Sequence, residues 1–294
     1  MRKGDPVHGW LILDKPAGRS SAWAVGQVRR LLGAAKAGHA GTLDPLATGV
    51  LPIALGEATK TVPFVQDGAK AYAFTVRWGE SRDTLDAAGA LTGTSEVRPT
   101  AAEIEAVLPR FIGRVQQTPP AYSALKVEGR RAYDLARAGK DPELAPRVVE
   151  IEALRLQAAR AGEADFEVRC GKGTYVRVLA QDLAAALGGL GYVSALRRTR
   201  VGLFSAESAF SLASLAELVL TPAPKAYLLP VTAALADIPA IAVTGAEAKR
   251  LKTGQTIRVS QPGQGDVCAM TDGVPVAIAT VQDGEARVLR VFNL

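Results

Sequence analysis

One glycine-rich segment constrains this chain more than any other stretch of the sequence. Residues 38–52 read GHAGTLDPLATGVLP, and Asp44 is the single acid within them. Glycines admit backbone conformations that are closed to other residues, and Pro45 fixes its own backbone and restricts that of Asp44. An isolated acid in a rigid turn, five residues after His39, indicates a positioned reactive group. The alternative is a turn in which the carboxylate of Asp44 bonds its own backbone.

This segment, extended back to Lys36, resembles the signature of the TruB family of tRNA pseudouridine synthases. Further matches to the family follow the same order along the chain, at residues 11–16, 55–60, 70–72, 83–89, 117–126 and 170–177. Together they span roughly residues 8 to 205, and several ordered motifs are far more specific than any one of them. The resemblance implies an α+β fold, in which a mixed-sheet pseudouridine synthase catalytic domain precedes a small β-barrel, PUA-like domain.

Hydrophobic patterning gives an independent prediction of the catalytic part. It predicts strands at 8–13, 72–78, 148–156 and 166–170, and helices at 22–32, 100–108 and 175–187. Ser20 or Ser21 is the expected cap of the first helix, and Thr100 with Glu103 predicts a capping box. Residues 113–146 are basic and irregular with paired prolines, which indicates a long functional insert.

The last part of the chain has a different pattern. After a candidate linker at 220–224 or 236–239, short strand-like runs alternate with glycine-containing turns, at 257–259, 267–270, 274–279 and 287–292. That pattern suits a small β-barrel, and Pro275 restricts its run to a sheet edge or a strand start. We therefore predict a catalytic domain at 1–236, with an RNA-binding insert at 113–146, and a PUA-like domain at 237–294.

Charge points to a polyanionic partner. The formal net charge is +6 and the pI is near 9.4, and residues 110–147 carry eight Lys or Arg against four acids. Two cysteines, Cys170 and Cys268, are too few for a disulfide framework. No apolar run follows the basic start as in a secretory signal, and none approaches the ~20 residues of a membrane span. We therefore expect a cytoplasmic protein.

The implied reaction needs no cofactor. Pseudouridine formation breaks the C1′–N1 glycosidic bond, turns the uracil and rejoins it through C5, so reactant and product are isomers. The chain has two histidines and two cysteines and lacks the H-E-x-x-H pattern of zinc enzymes. Residues 171–174, GKGT, lack the order of a phosphate-binding loop. We expect no cofactor and no metal.

The resemblance assigns three catalytic residues. Asp44 is the essential acid, and its role as nucleophile at C1′, nucleophile at C6 or base at C2′ stays open. Arg177 faces that carboxylate as a permanently charged partner that can grip it bidentately. Tyr72 stacks on the flipped uridine and takes part in proton transfer. From the residues alone, Arg177 is equally a solvated helix-start residue and Tyr72 an ordinary strand aromatic.

The remaining site residues follow from the same resemblance. His39 acts as a wedge in the RNA loop rather than as a general base, because an imidazole can stack on bases. Tyr175 and Leu196 match pocket positions, although either suits a core equally well. Phosphate contacts are expected from five basic residues, namely Lys15, Lys60, Lys126, Arg130 and Arg131. Asp83 and Asp86 suit turn caps better than a Mg²⁺ site.

These observations predict an enzyme that flips a uridine in the T-arm loop of tRNA, the position-55 uridine of the family, and isomerises it. The expected partner is the T-arm stem-loop, without an obligate protein partner, and the expected state is a monomer. The alternatives are a synthase for another RNA or one that needs a guide RNA, an RNA-binding or tRNA-folding protein without catalysis, and an Asp-nucleophile hydrolase. The absence of a long Lys-rich tail favours the stand-alone tRNA enzyme, and a hydrolase would need an oxyanion apparatus that the sequence lacks.

Overall fold

The computed structural model describes residues 4–127, 129–140, 142–221, 227–259 and 264–294. The helices are α1 (Ser21–Leu31), α2 (Val62–Asp67), α3 (Ala101–Val107), α4 (Ala132–Arg137), α5 (Val176–Ala186), α6 (Leu212–Val219) and α7 (Gly245–Lys252). The strands are β1 (Gly9–Lys15), β2 (Ala37–His39), β3 (Thr48–Leu55), β4 (Lys70–Trp78), β5 (Glu80–Arg82), β6 (Leu91–Thr94), β7 (Gly113–Gln117), β8 (Lys126–Val127), β9 (Arg130–Arg131), β10 (Arg147–Arg160), β11 (Glu163–Cys170), β12 (Gly191–Val201), β13 (Phe204–Ser205), β14 (Ala240–Ala242), β15 (Ile257–Arg258), β16 (Gly265–Thr271), β17 (Val274–Gln282) and β18 (Glu285–Val291).

A nine-stranded mixed sheet forms the body of the molecule. Its order is β1-β3-β12-β4-β11-β10-β7, with β2 paired to β3 and β13 paired to β12. The pairing of β3 with β12 is parallel, whereas the other neighbours in this sheet run antiparallel. Because Thr48 and Gly49 pair with Arg197 and Arg198, the segment that carries Asp44 ends directly beside β12.

The core on one side of this sheet fixes the position of α5. Alternate residues of a strand point to the same face, and Phe74, Val76 and Phe166 are buried in one cluster with Leu179 and Leu183 of α5. The rings of Phe74 and Phe166 stack with centroids 5.2 Å apart. Each such side chain contributes about 1.5–3 kcal/mol when fully buried, so α5 and the residues in its first turn are held firmly against the strands.

The predicted strands and helices of the catalytic part are confirmed, with small shifts at their ends. Ser20 caps α1 by accepting a hydrogen bond from the Trp23 amide at 3.1 Å. Thr100 and Glu103 form the expected capping box at the start of α3. The helix predicted from residue 175 begins at Val176, with Tyr175 as its N-cap residue.

Five strands of the main sheet were not predicted, namely β2, β3, β7, β12 and β13. Residues 48–55 carry Pro52, which usually argues against a central strand. Pro52 lies where the ladder with β12 has ended, at Gly49, and the ladder with β2 has not yet begun, at Ile53. The proline is therefore tolerated, and β3 still pairs with β1 along its length.

The predicted insert differs at its start. Residues 113–117 form β7, the edge strand of the main sheet, which pairs with β10. The hairpin of β8 and β9, followed by α4, makes up the middle of the segment. Glu128 and Asp141 of the insert lie outside the described residues.

The C-terminal part contains a separate five-stranded sheet, in the order β14-β16-β17-β18-β15, and Ala248 and Leu251 of α7 are buried in its core cluster. Each of the four predicted strand-like runs overlaps a strand of this sheet, with shifts of one residue at two ends. Pro275 is the second residue of β17, as its prediction required. Of the two candidate linkers, 220–224 extends beyond the described residues from 222 onward.

The two sheets share a hydrophobic cluster. Trp10 and Phe204 of the catalytic part are buried together with Cys268, Ile278 and Phe292 of the C-terminal part. The predicted boundary at residue 236 therefore divides the chain between its sheets but cuts through a common core.

Candidate active site

A buried arginine on β12 holds the loop that carries Asp44. Arg198 of β12 is 1% exposed, and its guanidinium donates to the carbonyls of Val50 at 2.8 Å, Gly41 at 3.0 Å and Thr42 at 3.4 Å. Gly49 has φ of +98°, and a Cβ there would lie 2.2 Å from the carbonyl oxygen of Arg198. Only glycine fits that position, so the loop and β12 lie in close contact.

The loop is also anchored to the start of α1. The hydroxyl of Ser21 accepts a hydrogen bond from the Leu43 amide at 2.8 Å and donates to the Leu43 carbonyl at 3.0 Å. These bonds are made by the residue directly before Asp44. The backbone around the acid is therefore fixed by contacts from two distant parts of the chain.

Lys15 is buried beside this loop, and its contacts differ from the predicted phosphate contact. Its side chain has no exposed surface, and its ammonium donates to the carbonyls of Arg19 at 2.7 Å, Pro16 at 2.8 Å and Pro45 at 3.4 Å. Burial lowers the pKa of Lys15 to about 8, the negative charge of Asp44 opposes that shift and Arg198 adds to it. Lys15 ties the 16–19 turn to the Asp44 loop.

Arg177, in the first turn of α5, joins three loops. Its side chain is almost fully buried, and Nε donates to Oδ2 of Asp44 at 2.8 Å. The two terminal nitrogens donate elsewhere, to the Thr84 carbonyl at 2.7 Å and to the Tyr122 carbonyl at 2.9 Å. The expected pairing with Asp44 is present, but through one nitrogen rather than bidentately, because the rest of the fork is used by the backbone.

A second carboxylate faces Arg177. Asp86 is 6% exposed and its Oδ2 lies 3.9 Å from Nε of Arg177. Its Oδ1 accepts hydrogen bonds from the Thr84 hydroxyl at 2.7 Å and the Ala88 amide at 3.0 Å, while Asp83 accepts from the Ala90 amide at 2.8 Å. The turn-capping prediction for both acids is confirmed. The proximity of Asp86 to Arg177 was missed, since a short motif gives no distance to a helix ninety residues later.

Tyr72 lies on β4 and is paired in register with Arg198 of β12. Burial raises the pKa of the Tyr72 hydroxyl above its usual value, and the guanidinium of Arg198 opposes the rise. The phenol therefore carries its proton at neutral pH. The position of Tyr72 on a central strand makes it rigid.

His39 ends β2, just before the Asp44 loop. Its Nδ1 is shielded from solvent and has no hydrogen-bond partner among the described residues. Burial lowers the pKa of His39, and the nearby charge of Arg198 adds to the effect. The imidazole is therefore neutral at neutral pH, as suits a group that enters RNA rather than one that pairs with phosphate.

Leu196 lies on β12, and Tyr175 is the N-cap residue of α5. Leu196 is 8% exposed and belongs to the core. It also lines a hollow of about 520 Å³ together with Leu46 and Thr48 from the end of the loop and Phe74 of β4. Tyr175 is half-buried. Both residues lie next to the elements that hold Asp44.

The remaining basic residues separate into two groups. Lys126, Arg130 and Arg131 are exposed on the hairpin of β8 and β9. Lys60 instead donates to Glu57 at 2.6 Å and to the Val291 carbonyl at 2.7 Å, so it ties the catalytic part to the C-terminal part. These two hydrogen bonds of Lys60 differ from the predicted phosphate contact.

The described residues include no group of three His, Cys, Asp or Glu side chains placed to hold a metal ion. Within the same residues, no helix is long and apolar enough to cross a membrane. The geometry thus offers a fixed carboxylate, a cation bonded to it, a protonated phenol and a neutral imidazole. That set can perform nucleophilic or acid–base chemistry at a sugar or a base.

Two family models and several full-length relatives match this chain. The family model described as TruB family pseudouridylate synthase (N terminal domain) matches residues 29–176, and the model described as tRNA pseudouridylate synthase B C-terminal domain matches 177–236. A protein named tRNA pseudouridine synthase B from Caulobacter sp. (strain K31) is 52% identical over 305 residues, covering 100% of this chain and 98% of that protein. Its namesake from Bradyrhizobium diazoefficiens is 53% identical over 298 residues, covering 98% and 86% respectively.

Solved structures share the fold. A chain of a Cbf5-Nop10-Gar1 complex matches with a TM-score of 0.74 and 24% identity, over 97% of this chain and 84% of that one. A chain of an H/ACA RNP bound to a substrate RNA containing 2′-deoxyuridine matches with a TM-score of 0.75 and 22% identity, over 98% and 86%. At that identity the likeness concerns the fold alone.

Proposed function

Because this chain belongs to the TruB family of pseudouridine synthases, we propose that it isomerises a uridine in the T-arm loop of tRNA, the position-55 uridine of the family. It is an RNA pseudouridine synthase, an isomerase that acts on tRNA. The observation that carries the proposal is the pairing of Asp44 with Arg177 at 2.8 Å, on a loop held by Arg198 and Ser21. A reactive group fixed in this way loses little freedom when substrate arrives.

We assign the chemistry to three residues. Asp44 acts on the sugar or the base, as a nucleophile at C1′ or C6 or as a base at C2′. The C1′–N1 bond breaks, a C1′–C5 bond forms, and the proton that leaves C5 is balanced by one gained at N1. Arg177 pairs with the carboxylate and orients it, and the hydroxyl of Tyr72 takes part in proton transfer.

Substrate binding involves base flipping. The target uridine must leave its stack before the C1′ can be reached, at a cost of a few kcal/mol. Tyr72, Tyr175 and Leu196 surround the flipped base, and the neutral imidazole of His39 fills the vacated place in the RNA loop. Lys126, Arg130 and Arg131 contact phosphates, which is supported by their exposure on one hairpin.

The wider organisation follows from the same premise. We assign residues 1–236 to the catalytic domain and 237–294 to a PUA-like domain, which is supported by the five-stranded sheet with α7. The C-terminal part orients whole tRNA rather than the isolated arm. We expect a cytoplasmic monomer that works without a protein partner or a cofactor.

The test is modification of unmodified tRNA, mapped by carbodiimide-stop sequencing. Asp44→Asn keeps the size of the side chain and removes its charge, so tRNA binding should stay within a few-fold and isomerisation should vanish. Asp67→Asn is the matched control, because Asp67 is an exposed acid paired with Lys172. Near-normal activity of Asp44→Asn would refute the role of Asp44. If the protein without substitutions binds tRNA but forms no pseudouridine, an RNA-folding protein is favoured instead.

A further inference from the structure

The backbone of Tyr175 is held by a buried glutamine. Gln117 is 1% exposed, and its Oε1 accepts a hydrogen bond from the Tyr175 amide at 3.1 Å while its Nε2 donates to the Tyr175 carbonyl at 3.4 Å. Tyr175 is the N-cap residue of α5 and makes no side-chain cap of its own. One carboxamide therefore fixes the backbone of a pocket residue at the start of the helix that carries Arg177.

The ring of Tyr175 is held from a different residue. The guanidinium carbon of Arg147 lies 5.0 Å from the ring centroid, which is the geometry of a cation–π contact. Arg147 also donates to the carbonyl of Gly173, which has φ of +85°. The same arginine thus touches both the ring and the turn that leads into it.

These two residues are the ends of the insert. Gln117 is the last residue of β7 and Arg147 the first of β10, and they are paired directly in the antiparallel ladder. Residues 118–146 leave the sheet after one and return at the other. The insert also reaches the catalytic arginine, through the Tyr122 carbonyl. Any shift of Gln117 or Arg147 is therefore transmitted to Tyr175.

We propose that Gln117 and Arg147 are positioning residues that set Tyr175 against the flipped uridine and couple the insert to the pocket. The proposal rests on the proposed function, since it concerns the same pocket. Neither residue touches the reacting atoms. Their effect is on the geometry of the bound state, so it belongs in the rate at saturating tRNA rather than in affinity.

Two variants test this coupling. Gln117→Met keeps length and removes both bonds to Tyr175, and Arg147→Lys keeps charge but loses the planar fork. Each should lower the single-turnover rate at saturating tRNA by about tenfold or more, since misplacement by an ångström can cost on the order of a hundredfold. The dissociation constant for tRNA should change less than threefold. If Arg147 were only a phosphate contact, Arg147→Lys would keep its rate.

Matched controls come from the same strand. Gln116→Met and Arg114→Lys are the same substitutions on exposed residues of β7, and both should keep the normal rate and melting temperature. In a Tyr175→Leu background, Arg147→Lys and Gln117→Met should each have little further effect, because the ring that they position is gone. Additive losses for Arg147→Lys in that background would overturn the contact with the ring as its mode of action.

The outcomes distinguish a failure of the proposed function from a failure of the positioning role of Gln117 and Arg147. An unmodified chain that forms no pseudouridine in tRNA would refute the proposed function. An active chain whose Gln117→Met and Arg147→Lys variants turn over at the normal rate would refute this proposal alone. If Gln117→Met melts early, Arg147→Lys decides the matter, because Arg147 is partly exposed and its replacement leaves the core intact.

Discussion

Replacing Arg177 with lysine should separate charge from geometry at the active site. The guanidinium serves three acceptors on three loops, at Asp44, Thr84 and Tyr122. A lysine ammonium keeps the charge but is a single point on a flexible stem, so it cannot reach all three together. At least one carbonyl in a nearly closed site then loses its donor.

The size of the effect can be worked from these contacts. A buried acceptor left without a partner costs about 1–3 kcal/mol, and each kcal/mol lowers the melting temperature of a chain of this size by about 2–4 °C. We therefore expect Arg177→Lys to melt about 2–12 °C below the unsubstituted protein. Asp44 loses its fixed orientation, and misplacement by about 1 Å costs on the order of a hundredfold in rate.

The assay is single-turnover pseudouridine formation at saturating enzyme, beside filter binding of tRNA and a thermal melt. Binding should stay within a few-fold, because Arg177 is 3% exposed and does not reach solvent. Arg160→Lys is the control: Arg160 also divides its guanidinium between two acceptors, Glu163 and Asp165, but its side chain is 47% exposed, so water replaces a lost bond. Equal losses in binding and turnover for Arg177→Lys would refute the orienting role and make Arg177 a phosphate contact.

Neutralising Lys126, Arg130 and Arg131 together should flatten the salt dependence of tRNA binding, by a slope of roughly 2 if all three meet phosphate, with turnover at saturation preserved; an unchanged slope would move the RNA contact off this hairpin. The pKa of His39 is lower in the fold than in the unfolded chain, so its contribution to stability is present above about pH 6.5 and is lost as the pH falls through the folded value. His39→Gln should remove that part of the acid-side loss in denaturant titrations between pH 5 and 7.5. The fragment 1–236 should melt well below the full chain, because it loses the C-terminal half of a shared cluster. Where the fragment is folded, it should still modify an isolated T-arm hairpin, and failure there would assign the C-terminal part to the catalytic domain.

Local sequence patterns predicted those parts of the fold that depend on residues close together in the sequence. The cap at Ser20, the box at Thr100 and the alternation along β4 are set within a few residues, and all were predicted. The strand β3 was missed because its proline is tolerated only where two ladders from distant segments leave a gap. No local pattern reports such a gap.

The candidate site divides in the same way. The pairing of Asp44 with Arg177 followed from motif resemblance, and it is present; the catalytic roles of both stay predictions. Arg198 was missed as the support of the Asp44 loop because its acceptors lie about 150 residues earlier in the chain. Lys15 was assigned to phosphate as one of five basic residues, whereas three carbonyls converge on it in the fold.

The cluster that joins the two sheets has a consequence for how the chain is made. Trp10 leaves the ribosome long before Phe292, and both are completely buried in this cluster. During synthesis, domains generally fold from the N-terminal side as they emerge. Strand β1 therefore keeps part of one face uncovered until residue 292 is released. Nascent chains stalled before residue 292 should therefore be open to proteases at β1, even when the rest of the large sheet has formed.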